Sequence, residues 1–298
     1  MVPAAPVLTG NERRRAKLLG VPIYWHFLSL DAPTIAVLWA WSFARAAQVH
    51  ASASAIAVLG IGTWLIYVAD RLLDAQSARY STLNYDLRER HFFHARHRRT
   101  FLIAAAAAAM ALLWQISIMP TAARFEDTVL FAVSMLYFGI VHLPFIRIRK
   151  SFPRELSVGI LFACATAVPA WSKQGSPHAM LLPSILLFAG LCCLNCLAIE
   201  IWERPAGPSH QYTIPAVALC IATASAALIL ARHGSGTSRV AASALASALL
   251  ILALDRLFYS FTKRNPGHEE SANFLLAMRI AADAALLTPV FFVLPWRG

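Results

Sequence analysis

The sequence predicts an all-α fold, a polytopic membrane bundle of about nine transmembrane helices, and three observations lead there. Of 298 residues, 58% are hydrophobic and 14% charged, an apolar excess too large for one soluble core to hide. Apolar runs of roughly 20 residues, the length that crosses hydrocarbon as a helix, recur along the whole chain. The basic residues between those runs collect in alternate connections, as the positive-inside rule requires of a membrane protein.

In order along the chain, the runs predict helices over 27–49, 54–74, 101–119, 126–146, 155–172, 179–202, 212–231, 237–257 and 271–295. Residues 1–26 read as a cytoplasmic amino-terminal tail: Arg13, Arg14, Arg15 and Lys17 are not followed by the short apolar stretch and small-residue site of a cleaved signal peptide. Residues 27–298 read as a single membrane domain of nine helices, because no connection is long and polar enough to fold as a separate soluble unit. All five cysteines, Cys164, Cys192, Cys193, Cys196 and Cys220, fall inside apolar runs, which predicts reduced packing residues rather than disulfides or a zinc site.

A net charge of +11 raises nucleic-acid binding, but the positive residues come in short blocks between helices instead of on one face, so no nucleic-acid partner is predicted. With the amino terminus inside, inner connections hold Arg79, Arg88, Arg90, Arg96, Arg98, Arg99, Arg147, Arg149, Lys150, Arg154, Arg204, Lys263 and Arg264. Outer connections hold only Arg124, Lys173, Arg232, Arg239 and Arg297. The expectation is a multi-pass protein of the cell inner membrane with a cytoplasmic amino terminus.

Ionisable groups within apolar helices are costly and therefore mark candidate sites. In WLIYVADRLLDAQSARY, Asp70 and Asp74 lie four residues apart at the predicted inner end of the second helix, on one face. Two such carboxylates repel one another, and a divalent cation carrying phosphate oxygens would satisfy both. Pairing with Arg71 and Arg79 as an ordinary charged helix end is the competing account. In LNCLAIEIWERP, Asn195, Glu200 and Glu203 occupy the corresponding end of the sixth helix, with a solvated helix end as the alternative. Asp31, His142, Asp255 and Asp283 are further polar groups inside apolar runs, and Asp255 is a candidate for acceptor binding or for an interfacial ion pair with Arg256.

This pattern resembles the UbiA superfamily of intramembrane prenyltransferases, over essentially the whole chain. That family has nine helices, a cytoplasmic entrance and acidic motifs at the end of the second helix and on the sixth. Asp70 and Asp74 match the two Asp of the first motif, while Ile66 stands where the family carries Asn. Glu200 and Glu203, three apart, stand where two Asp four apart are usual.

The resemblance implies a prenyl diphosphate substrate, an acceptor, Mg2+ held by Asp70 and Asp74, and a second metal at Glu200 and Glu203. Arg71 and Arg79 would cap the diphosphate, since Arg meets phosphate through paired donors. Asn195, Tyr67 and Asp255 complete the expected substrate contacts, and Trp64, Phe138 and Trp202 are candidates to line an isoprenoid tunnel. A membrane terpene cyclase, an ion-coupled transporter and a non-catalytic relative are the alternatives. His91, His94 and His97 also form HxxHxxH, which raises di-iron chemistry, but no second histidine cluster accompanies it.

Overall fold

The computed structural model describes residues 20–77, 89–119, 154–173, 178–203, 211–233, 235–264 and 272–293, and among them the chain is helical with no strand. The elements are α1 (Gly20–Phe27), α2 (Asp31–Ala46), α3 (Ala53–Ser77), α4 (Glu89–Arg96), α5 (Arg98–Ser117), α6 (Arg154–Trp171), α7 (His178–Glu203), α8 (Thr213–Ala231), α9 (Gly236–Arg264) and α10 (Ala272–Ala284). A 3-10 turn (Ala285–Leu287) and a short α11 (Pro289–Phe292) follow.

Among the described residues, six helices are long and apolar enough to cross a membrane: α3, α5, α7, α8, α9 and the run over α10 and α11. The pair α1 and α2 passes the same test together but is bent by 89°, and α6 carries a shorter apolar helix, Ser157–Trp171. The expected helix over 126–146 lies outside the described residues.

Eight of the nine predicted runs therefore coincide with a helix or a broken pair, and the differences have local causes. The helix at α9 continues to Arg264, past the apolar limit at 257, because Lys263 and Arg264 suit the negative end of the helix dipole. The final run is interrupted because Pro289 has no backbone N–H to donate and its ring blocks a continuous helix. The 3-10 turn that results frees the Leu286 carbonyl, which accepts from Trp39 Nε1 at 2.8 Å. Thr288 Oγ1 donates to the Ser243 carbonyl at 2.8 Å and lies 2.6 Å from Ser247 Oγ, which ties the break to α9.

The core sits where α2, α7 and α9 meet, with α6, α8 and α10 packed around them. Trp39 stacks on Phe188 at 4.2 Å, and Phe43 meets the same ring edge-on at 5.8 Å. Helix α9 presents small side chains inward, Ala241, Ser243, Ala244, Ser247 and Ala248, which permits the close backbone approach by which apolar helices associate without water's help. On α5, by contrast, Ile103, Met110, Leu113 and Trp114 all face outward, a surface suited to lipid.

Two glycines separate close packing from open surface. A Cβ on Gly236 would stand 2.6 Å from Ala46 Cα, whereas one on Gly62 would meet nothing within 4 Å. Gly236→Ala is expected to destabilise the bundle by about 1–3 kcal/mol, while Gly62→Ala is neutral or stabilising by up to about 1 kcal/mol. Thermal unfolding of the two variants in detergent, read side by side, measures the difference.

Candidate functional site

The break between α1 and α2 organises the polar interior. Ser29 takes a positive φ of 59°, a conformation that costs a non-glycine residue free energy and needs compensation from its surroundings. Arg71, on α3, supplies it. Its Nη1 donates to the His26 carbonyl at 2.9 Å and to Ser29 Oγ at 2.6 Å, and its Nη2 donates to Asp31 Oδ2 at 3.2 Å. The guanidinium is only 3% exposed, and a guanidinium keeps its charge, so it must be buried together with acceptors.

Three more helices join this centre. His26 Nδ1 lies 2.8 Å from Asp31 Oδ2 and 3.6 Å from Asp283 Oδ2, which α10 brings in from the far end of the sequence. Asn195 on α7 donates from Nδ2 to Asp283 Oδ1 at 3.1 Å. From α4, His94 places Nε2 3.1 Å from Ser29 Oγ while its ring stacks on Phe101 at 4.1 Å. Within HxxHxxH, then, His94 is a buried support of the break, and His97 turns its Nδ1 to the Phe93 carbonyl of its own helix. The side chain of His91 lies outside the described residues.

The residues expected from the sequence divide accordingly. Arg71 and Asn195 belong to this buried centre, and Tyr67 sits beside it, with the Arg71 guanidinium carbon 5.9 Å from its ring centroid. Asp70 is half-buried on α3. Asp74 falls one turn further along the same helix, its side chain outside the described residues, as is Arg79 altogether. Glu203 forms an ion pair with Arg279 of α10, and Glu200 is exposed. Asp255 is fully buried on α9 and accepts a hydrogen bond from Trp202 Nε1 at 3.2 Å. Trp202 also stacks on Phe258 at 6.0 Å, so among the described contacts it acts as an anchor between α7 and α9. Trp64 donates from Nε1 to the Leu28 carbonyl at the helix break, at 3.0 Å.

Mg2+ takes carboxylate oxygens readily, and two carboxylates one helical turn apart, as at Asp70 and Asp74, are a donor set of that kind. Glu203 offers a poorer fit, because Arg279 already neutralises it. His26 is the residue that sequence reasoning missed, since it fell at the end of the expected tail. Asp31 and Asp283 carried the available signal, carboxylates within apolar runs.

No family model, no curated protein and no solved structure matches the chain.

Because Arg71 is the charge on which the centre closes, removing it leaves the Asp31 carboxylate buried with only His26 opposite. Arg71→Leu is expected to destabilise the protein by about 3–5 kcal/mol, and Arg71→Lys recovers only part of this because an ammonium lacks the fork that reaches the His26 carbonyl, the Ser29 hydroxyl and Asp31 together. Thermal unfolding and monodispersity in detergent measure both.

Proposed function

We propose that this chain is an intramembrane prenyltransferase of the UbiA kind, which ionises a prenyl diphosphate with Mg2+ and passes the prenyl group to an acceptor. The observation that carries this reading is the end of α3, where Asp70 and Asp74 follow one another by a turn and flank an arginine whose guanidinium is fixed inward. With Arg71 bound to Asp31, His26 and Ser29, α3 cannot rotate freely, so the acidic register at its end is preset before any ligand arrives.

In this reading Asp70 and Asp74 hold the cation, and the cation, when bound, neutralises the diphosphate as its bond to the allylic carbon breaks. Arg79 assists from the connection that follows α3. The surrounding bundle is apolar, which suits a long isoprenoid and would slow capture of the developing carbocation by water. The topology that accompanies the proposal has nine spans in the cell inner membrane, with the amino terminus and the end of α3 on the cytoplasmic side, supported by the distribution of Lys and Arg.

A second reading, ion-coupled transport, draws on a different observation: the helix broken by 89° beside buried His26 and Asp31 and half-buried Asp283. The two separate on the substrate. Asp70→Asn and Asp74→Asn are each expected to lower Mg2+-dependent binding of a prenyl diphosphate by tenfold or more, about 1.4 kcal/mol, while leaving thermal stability nearly unchanged. Isothermal titration in detergent with geranylgeranyl diphosphate checks it, and wild-type-like binding in both variants removes the assignment.

A further inference from the structure

The buried centre itself has ligand-site features that neither Asp70 nor Asp74 enters. His26 Nδ1, a carboxylate oxygen of Asp31 and one of Asp283 all lie within 4.8 Å of one another, near the spacing of ligand atoms around one metal ion. His26 is 1% exposed, Asp31 3% and Asn195 7%. Three atoms in this enclosure lack a hydrogen bond of good geometry among the described residues: His26 Nε2, Asn195 Oδ1 and His26 Nδ1, the last having only the Asp31 and Asp283 carboxylates beside it.

Charge and hydrogen bonding together narrow what satisfies them. Arg71 neutralises one of the two carboxylates, leaving one negative charge in an apolar interior if His26 is neutral. Protonating His26 would balance the charge but would leave both Nε2–H without an acceptor and Asn195 Oδ1 without a donor. A divalent cation facing Nδ1 carries the cluster from one net negative charge to one net positive charge, so what distinguishes it from a proton is hydrogen bonding: it takes Asn195 Oδ1 as a further oxygen ligand and leaves only the Nε2–H to account for. The Asn195 amide is already placed for this, since its Nδ2 donates to the other oxygen of Asp283.

We propose that His26, Asp31, Asp283 and Asn195 form a binding site for one divalent transition cation of the Zn2+ or Mn2+ class. An imidazole nitrogen with two carboxylates and an amide oxygen is a donor set for such ions, and imidazole disfavours Mg2+ and Ca2+ by comparison. Arg71 and Ser29 act one shell out: Arg71 orients the Asp31 carboxylate and holds the helix break that brings His26 to it. The site joins α1, α2, α7 and α10, so the cation ties the amino-terminal helices to the end of the bundle.

The test is direct metal binding without any diphosphate, so its outcome is separate from the prenyltransferase reading. Full-length protein in detergent is stripped with chelator, reloaded with Zn2+ or with Mn2+, passed through gel filtration and measured for metal per chain. The expected result is one equivalent for wild type and for Asp70→Asn. Asp283→Asn and His26→Gln should weaken binding about tenfold or more. Asn195→Leu, which spares all three charged ligands, should weaken it by a smaller factor and shift the ligand-field spectrum of the Co2+-loaded protein, a readout that survives if Asp283→Asn fails to fold. Wild type that retains no stoichiometric metal, or metal retained equally by Asn195→Leu with an unshifted Co2+ spectrum, overturns the site.

Discussion

The structure turns on the buried guanidinium of Arg71. A guanidinium keeps its proton even when buried, so Arg71 has to be enclosed by acceptors or not enclosed at all. The chain meets that demand by breaking a helix: the turn between α1 and α2 releases the His26 carbonyl, points Ser29 Oγ inward, and starts α2 with Asp31. The 89° bend is thus the geometric answer to an electrostatic requirement, and the positive φ at Ser29 is the conformational cost that three charge-assisted hydrogen bonds offset. Through His94 and Asp283 the same centre reaches α4 and α10.

The other half of the bundle is held differently. Around α7 and α9 the contacts are those of apolar helices at close range, with small residues on α9 and stacked rings at Trp39, Phe188, Trp202 and Phe258. Trp202 bonds to Asp255 Oδ1 and Trp39 to the Leu286 carbonyl there, while Asp255 Oδ2, Ser184 Oγ and Ser225 Oγ are buried without a hydrogen-bond partner among the described residues. The packed half stands beside the polar helix break, and α7 links the two through Asn195 and Trp202. The outward apolar side chains of α5 supply the complementary surface for lipid.

How much of this the residues disclosed in advance follows from what hydropathy measures. Helices α3, α7, α8 and α9 were legible because long apolar runs have one stable conformation in hydrocarbon. The break at Ser29 was not, since WHFLSLDAP keeps enough apolar residues to read as the edge of a span, and the reason for the bend lies 42 residues away in Arg71. Asp31, Asn195, Asp255 and Asp283 were all identifiable as costly polar groups, yet their partners depend on tertiary packing. Asn195 was grouped with Glu200 and Glu203 by sequence proximity, whereas the fold pairs it with Asp283, 88 residues on. Glu203 turned to Arg279 for the same reason: the helix that follows in space, not in sequence, sets its environment.

The His26 centre fixes the register of α3, and with it the one-turn spacing of Asp70 and Asp74 on which the proposed prenyltransferase reading rests. Turnover tests the central claim most directly: purified protein in lipid is incubated with Mg2+ and prenyl diphosphates of increasing length, with and without aromatic acceptors, and pyrophosphate release is followed. Chelator-sensitive release accompanied by a prenylated acceptor is the predicted result, and no release at any chain length would contradict the account.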